Sequence, residues 1–211
     1  MSKEWNWRDM ISPHWLTPAE CVYYYLHRWK KLSKILDVGA GVGRHSLLFT
    51  EYGYDVTAFD SSRSGLEVIR ERAEEKGVGI NLVLGDMRNM PFADASFDAV
   101  LAYHSIYHSS QNDLPMIISE LNRVVKKGGE VFVTLLSKED ENFVNHKNDR
   151  VDENVVMKQD GKNGPLVPHY YVDYDEIYEL FGKFEILSCQ KLVEYIKGHT
   201  LIHYHLRMRK D

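Results

Sequence analysis

Short apolar runs alternating with helical patterns predict a doubly wound α/β domain. Three observations carry that expectation. The runs "KILDVG" (34–39), "YDVTAFD" (54–60), "INLVLGD" (80–86), "FDAVLAY" (97–103) and "EVFVTLLS" (130–137) are nearly continuous in apolar residues, as strands buried on both faces of a parallel sheet are. The segments between them carry helix start and stop signals. A glycine-rich stretch, "GAGVG" (39–43), joins the first run to the first of these helices, at the end of the sheet where such domains bind ligands.

Taken in order, residues 17–30 read as a helix opened by Thr17-Pro18-Ala19-Glu20: a capping hydroxyl, proline at the first helical position and Glu three residues after the cap. Ser64 and Glu67 form a second capping box, followed by Leu66, Ile69 and Ala73 at helical spacing and by Gly77 as the stop. Asp113 can cap a helix that turns Ile117, Leu121 and Val124 inward and ends at Gly128-Gly129. Beyond Ser137 the pattern changes. Residues 138–153 hold only Phe143, Val144 and Val151 as apolar side chains, and a Gly/Pro-punctuated stretch runs on to Pro168. A short helix is expected over 174–181, then two strands, 184–195 and 201–210, turning at Gly198. So short a link makes that pair antiparallel, because a parallel pair needs a crossover.

Composition narrows the class. The chain has 211 residues, 44% hydrophobic and 27% charged, which suits one soluble globular domain. No apolar run approaches the ~20 residues that span a bilayer, and "MSKEWNWRDM" lacks the pattern of a secretory signal. A net charge of −5 without a Lys/Arg block argues against a nucleic-acid partner. Cys21 and Cys189 match no metal-ligand spacing and form no disulfide framework, so a cytoplasmic setting is expected.

Glycine at a strand-to-helix turn lets a ligand approach the backbone beside helix N-terminal amides. The dinucleotide template G-x-G-x-x-G is not met, since its third glycine position, counted from Gly39 and Gly41, is Arg44; the spacing is G-x-G-x-G, with Asp37 two residues ahead. A plain tight turn is the alternative reading. Asp60, however, ends the second run 21 residues after Gly39, near the offset at which an acid meets ribose hydroxyls. Asp86 ends the third. Three acids at three strand ends face one crevice.

With these residues in place the sequence resembles the class I S-adenosylmethionine-dependent methyltransferases. The resemblance rests on "LDVGAGVGR", "VTAFDSS", "VLGDMRNMPFADASFDAVLA" and "ELNRVVKKGGEVFV", spanning Lys34 to Ser137 and, more loosely, the last two strands. It implies a Rossmann-like, seven-stranded sheet, mostly parallel with an antiparallel last strand, in a single domain over 1–211. Residues 1–33 would form an N-terminal helical cap and 138–172 an insertion after the fifth strand on the acceptor side. It also implies S-adenosyl-L-methionine as cofactor and S-adenosyl-L-homocysteine as product. Asp37 and the loop Gly39, Ala40, Gly41 and Gly43 would shape the methionine pocket. Asp60 would hold the ribose, with Ser61 beside the adenine. Asp86 would accept from the adenine amino group and the Met87 amide would reach a ring nitrogen. The backbone at Ala102 and Tyr103 would meet the methionine amino group. Arg44 is a candidate for the cofactor carboxylate, a salt bridge to a neighbouring acid being the alternative.

Methyl transfer is an in-line displacement in which alignment does most of the work, and a base is needed only where the acceptor loses a proton. Candidates follow the fourth strand in "AYHSIYH": Tyr103, His104, Tyr107 and His108, each with packing or capping as the plain alternative. His169, Tyr170 or Tyr171 is expected to line the acceptor pocket from the insertion. Nucleic-acid amino-methyltransferases carry an Asn/Asp-Pro-Pro-aromatic segment where this chain reads Tyr103-His104-Ser105-Ile106, so a small-molecule acceptor is expected. The pairs His104/His108 and His203/His205 lack a clear third ligand, so no metal is expected. Trp5, Trp7, Trp15 and Tyr23–Tyr25 suit either a lid over the cofactor or packing on the sheet. Loss of the Asp60 carboxylate is expected to weaken the cofactor and spare the fold. A non-catalytic cofactor-binding domain and an NAD-type dehydrogenase are the competing readings.

Overall fold

The computed structural model describes residues 5–31, 33–146, 150–159, 165–196 and 198–211. Strands β1 (Lys34–Val38), β2 (Asp55–Asp60), β3 (Asn81–Leu84), β4 (Phe97–Ala102) and β5 (Val125–Ser137) pair in parallel in the order β3-β2-β1-β4-β5. Side chains alternate across the sheet. Leu36 and Val38 join Val100, Val131 and Val133 under helix α6 (Asp113–Val124) on one face. Ile35 joins Val56, Ala99, Leu101 and Phe132 on the other, against Val22, Tyr25, Leu26, Trp29 and Phe49. Burial on both faces is why the runs read as continuously apolar.

Both edges of β5 are used beyond the end of β4. Strand β9 (His199–Lys210) runs antiparallel to β5 from Glu130↔Arg209 to Leu136↔His203, and β8 (Phe184–Ile196) pairs with β9, giving the expected antiparallel C-terminal pair. At its tip β5 also takes β7 (Leu166–Val172) in parallel, through Leu136↔Tyr171 and Ser137↔Val172, and β7 carries β6 (Val155–Gln159) antiparallel. The sheet therefore has nine strands rather than seven. The two extra strands lie within 138–172, whose second half is apolar enough to pair rather than stay a loop.

Several helix starts differ from expectation, each because a side chain is used elsewhere. The expected helix over 17–30 is two short ones, α2 (Glu20–Tyr23) and α3 (Tyr25–Arg28), preceded by α1 (Pro13–Leu16). The Thr17 hydroxyl turns back to the Pro13 carbonyl, while the Ala19 amide donates to His45 Nε2. Helix α5 (Arg63–Lys76) is capped by Ser62, which accepts from the Gly65 amide; the Ser64 hydroxyl instead accepts from the Trp7 amide. Asp113 opens α6 as its first helical residue, with Asn112 at the cap. The helix stops at Val124, not at the glycines, because Val125 already pairs with Phe97. Helix α4 (Arg44–Glu51) follows the glycine loop, and α7 (Glu141–Asn145) follows β5. Helix α8 (Tyr174–Leu180) begins with a full capping box from Asp173 and Glu176.

The N-terminal helices are tied to the sheet by Tyr54, whose buried hydroxyl stands 2.9 Å from the Leu26 carbonyl and 2.8 Å from that of Trp29. Tyr54→Phe removes their shared donor. It is expected to cost about 1–2 kcal/mol, seen as a melting temperature lowered by roughly 3–6 °C. An unchanged melt would show that these helices are held by apolar packing alone.

Candidate active site

A cavity of about 420 Å³ opens at the carboxyl ends of β1 to β4. Its floor is the β1–α4 loop, where Gly39, Gly41 and Gly43 have φ of +73°, +58° and +75°, a conformation that accounts for the G-x-G-x-G spacing. The amides of Gly39 and Ala40 donate to the Phe59 carbonyl at 2.8 and 3.1 Å. The Asp60 carboxylate closes the loop, accepting from the Gly41 amide through one oxygen and the Ser62 amide through the other, both at 2.7 Å. Asp60 is thus a buried anchor of the loop as well as a cavity wall. Where the sequence reading expected its loss to spare the fold, these two bonds lead us to expect a loss of stability as well.

Asp37 lies beneath the loop, outside the cavity lining, and accepts a 2.5 Å hydrogen bond from the Ser46 hydroxyl. Burial pushes its carboxyl up to about 6. Gly39, Ala40, Gly41, Arg44, Asp60, Ser61, Asp86 and Met87 line the cavity; Gly43 and Ala102 stand behind it. Asp86 is gripped by the Arg88 guanidinium, whose Nε lies 3.0 and 2.9 Å from its two oxygens, and Arg88 reaches Asp113 at 3.2 Å. This pairing holds the Asp86 carboxyl below the usual range. Arg44 forms no salt bridge among the described residues; it lies between the Trp15 and Tyr103 rings, 5.3 Å from each centroid, and donates to the His14 carbonyl.

Among the N-terminal aromatics, Tyr23 and Tyr24 are exposed and take neither expected role. Tyr25 and Trp29 pack on the sheet with Phe132 and Phe49. Trp5, Trp7 and Trp15 instead line the cavity. That segment is pinned to α5 by the Ser62 hydroxyl donating to the Trp5 carbonyl at 2.6 Å, the Trp7 amide on Ser64, and Arg8 paired with Glu71 at 2.6 Å. A Cβ at Gly41 would stand 2.9 Å from the Trp7 ring. Gly41→Val is therefore expected to displace Trp7, red-shifting tryptophan emission, and to cost about 2 kcal/mol through its left-handed backbone. Unchanged emission would show that Trp7 does not rest on the loop.

Tyr103, His104 and His108 line the opposite wall, with Val167 and Pro168 from β7. His104 adopts φ +52°, rare for a residue with a Cβ, held by its amide on Thr134 Oγ1 at 2.7 Å. Its ring stacks between Tyr103 (4.2 Å) and His203 (4.6 Å). His108 stands 5.3 Å from the Trp5 ring and 4.6 Å from that of His169. Burial holds His104 and His108 well below the ordinary imidazole range and His169 at about 4, so all three are neutral at pH 7. The insertion does reach the cavity, but through Val167 and Pro168. His169 lies one layer behind with its Nδ1 at the Val167 carbonyl, Tyr170 is hydrogen-bonded to Asn154, and Tyr171 packs on Phe143. Tyr107 is likewise outside the lining. His203 stacks on His104 and His205 faces Phe132, and among the described residues no three His, Cys, Asp or Glu are grouped to hold a metal. His45, Arg88, Ser105, Ser109 and Asp113 add polar groups to the lining; the sequence reading gave none of them a role in the site.

Residues 36–133 match the family model described as a methyltransferase domain. Within residues 36–133 the strand order, the glycine loop and this match agree on a methyltransferase domain. The uncharacterized methyltransferase YcgJ of Bacillus subtilis is 33% identical over 120 residues, covering 54% of this chain and 47% of that protein. A methyltransferase structure from Methanosarcina mazei superposes with a TM-score of 0.78 at 18% identity, covering 92% of this chain and 99% of the other. The Burkholderia thailandensis 1,6-didemethyltoxoflavin-N1-methyltransferase, solved with its substrate and S-adenosylhomocysteine, gives 0.67 at 18% identity, covering 90% and 77%. At that identity both likenesses concern the fold. The chain spans less than half the length of three curated relatives it matches: 47%, 36% and 48%.

Proposed function

We propose that this chain binds S-adenosylmethionine in the cavity and transfers its methyl group to a small-molecule acceptor. The observation that carries the reading is the convergence of the left-handed glycine cradle, Asp60 and Asp86 on one cavity of a methyltransferase domain. The residues suit the group. The cradle leaves the backbone bare where a ligand must approach. Asp60 brings a carboxylate, an acceptor suited to a ribose diol, to the cavity wall. Asp86 and the Met87 amide would take the adenine, with Ser61 beside it. Arg44, which has no carboxylate partner among the described residues, would take the cofactor's carboxylate, and the backbone at Ala102 and Tyr103 its amino group. Asp37 holds α4 and the loop in place from below. The bound cofactor would supply an electrophilic methyl group.

On the acceptor side, His104 and His108 are neutral imidazoles able to accept a proton, with Tyr103 as a flat wall and His169 supporting His108 from behind. Trp5, Trp7 and Trp15 would cover the crevice and exclude water. A cavity of about 420 Å³ suits a compact acceptor. Net charge of −5 speaks against a nucleic-acid partner, and two free cysteines suit the cytoplasm. No described helix is long and apolar enough to cross a membrane.

The test is transfer of labelled methyl from S-adenosylmethionine to a panel of small hydroxyl, amine and thiol acceptors. Turnover with one class, lost in His108→Ala or His104→Ala, is the expected result. Tight S-adenosylhomocysteine binding with no acceptor methylated would favour the non-catalytic reading.

A further inference from the structure

The acceptor side of the cavity comes together at one corner. Trp5, His108, Val167 and Pro168 all line the cavity, and ring contacts link them. His108 makes an edge contact with the Trp5 ring at 5.3 Å and another, at 4.6 Å, with His169, the residue that follows Pro168 on β7. Trp5 is itself fixed. Its ring stacks on Trp7 at 5.6 Å and 15°, and its carbonyl accepts from the Ser62 and Ser64 hydroxyls. The corner is walled by a flat indole, a valine, a proline and one imidazole.

Charge sets what this corner refuses. Three carboxylates line the cavity. Asp60 is tied to the Gly41 and Ser62 amides, and Asp86 and Asp113 share Arg88. No described carboxylate acts on His108; the charged side chain that does is Lys158, which lies across from Val167 in the β6–β7 register. An alkylammonium acceptor would meet a cation there and no counter-ion. A flat aromatic ring would meet indole and proline, surfaces on which such rings pack.

The strength of the bases narrows the class further. Burial keeps His104 and His108 well below the ordinary imidazole value of 6.5, so both are weak bases. An alcohol is about as weak an acid as water, near ~16, and does not give its proton to such a base. A thiol, near ~8.5, or a carboxylic acid, near ~4, ionises enough by itself and needs no base. A phenol, near ~10, lies between: it needs a base and yields to a weak one. We infer that the acceptor is a flat aromatic hydroxyl compound seated against Trp5, and that the Trp5 ring selects it; this rests on the methyl-transfer reading above. The phenol oxygen bonds to the methyl carbon as the carbon–sulfur bond breaks, its electron pair leaving with sulfur. The hydroxyl proton passes to a ring nitrogen of His104 or His108. The positive charge of the sulfonium thus ends on an imidazole, and the products are an aryl methyl ether and a thioether.

Two probes of similar size test this: 2-naphthol, and decahydro-2-naphthol, its saturated and puckered counterpart. Each is titrated against the wild-type chain saturated with S-adenosylhomocysteine, and its methylation is followed with labelled S-adenosylmethionine. The inference expects 2-naphthol to bind at least about tenfold more tightly and to be the one methylated. Trp5→Ala should weaken 2-naphthol about tenfold, whereas Trp5→Phe, which keeps a flat ring, should stay within about threefold of wild type. S-adenosylhomocysteine affinity should fall less than about threefold in either variant, because the segment is anchored through the Trp5 carbonyl and not its ring. Equal binding of the two probes, no binding of either at millimolar concentration, or 2-naphthol bound but unmethylated would overturn the inference and leave the cofactor reading intact. So would equal losses of 2-naphthol and S-adenosylhomocysteine in Trp5→Ala, which would make Trp5 a general cover. Failure of S-adenosylhomocysteine to bind the wild type would overturn the cofactor reading itself.

Discussion

Asp60→Ala is expected to weaken S-adenosylhomocysteine binding by roughly 10- to 150-fold and to destabilise the fold together with it. The first effect is the loss of charged acceptors for the ribose diol, about 1.5–3 kcal/mol. The second follows from the two backbone amides, Gly41 and Ser62, that the carboxylate holds at 2.7 Å in a buried setting. Freed of their acceptor, they and the left-handed loop they fix should cost about 2–4 kcal/mol of stability. Asp60→Asn preserves the shape and one good acceptor, so it should fall between wild type and alanine on both scales. Calorimetry and thermal melts read the two effects separately. A variant that melts like wild type would mean that the loop is held by its own backbone bonds.

Acid should unfold this protein well above the ordinary carboxylate range. His45, His169, His203 and His205 are buried, His104 and His108 are half-buried in the cavity wall, and desolvation lowers every one of them. Neighbouring cations add to this: Arg44 beside His45 and His104, Lys158 beside His108 and His169. The unfolded chain takes up protons near pH 6.5 while the folded His169 and His205 do so only near 4. In that window the unfolded state binds more protons, so stability rises with pH; it is complete above 6.5 and is lost as pH falls. Those two histidines account for about 3 kcal/mol each, against a total of about 5–15 kcal/mol for a typical domain. Asp37 works the other way, because its folded carboxyl protonates near 6 and its unfolded one near 3.8. As pH drops it returns about 3 kcal/mol, too little to offset six imidazoles. Melting temperatures followed from pH 7.5 to 4.5 should fall steadily below 6.5. A flat profile down to pH 5 would mean that these rings are already charged or solvated in the fold.

Much of this architecture was legible because its signals are local and redundant. Strands β1, β2, β4 and β5 are apolar on both faces, and the glycine loop needs left-handed backbone at each of its three glycines. The C-terminal hairpin follows from two β-rich runs with too short a link for a crossover. What the sequence hid depended on long-range partners. Ser64 has a better helix-cap pattern than Ser62, yet Trp7 claims its hydroxyl from 57 residues away. Thr17 reads as a cap and bonds backward to Pro13. The β6–β7 hairpin has a place because β5 runs past the end of β4, at Val133, and offers β7 that edge at Leu136 and Ser137 while β9 holds the other. His169 and Val167 share a face of β7, yet the cavity lining takes Val167 and Pro168 and stops short of His169, whose Nδ1 lies at the Val167 carbonyl.

The central claim is that the cavity is built for S-adenosylmethionine, and the most direct test is calorimetric titration of the wild-type chain with S-adenosylhomocysteine against NADH. The account predicts one-site binding of S-adenosylhomocysteine, lost or sharply weakened in Asp60→Ala, and no heat from NADH. Saturable NADH binding, or no binding of S-adenosylhomocysteine by a folded wild-type protein, would contradict it.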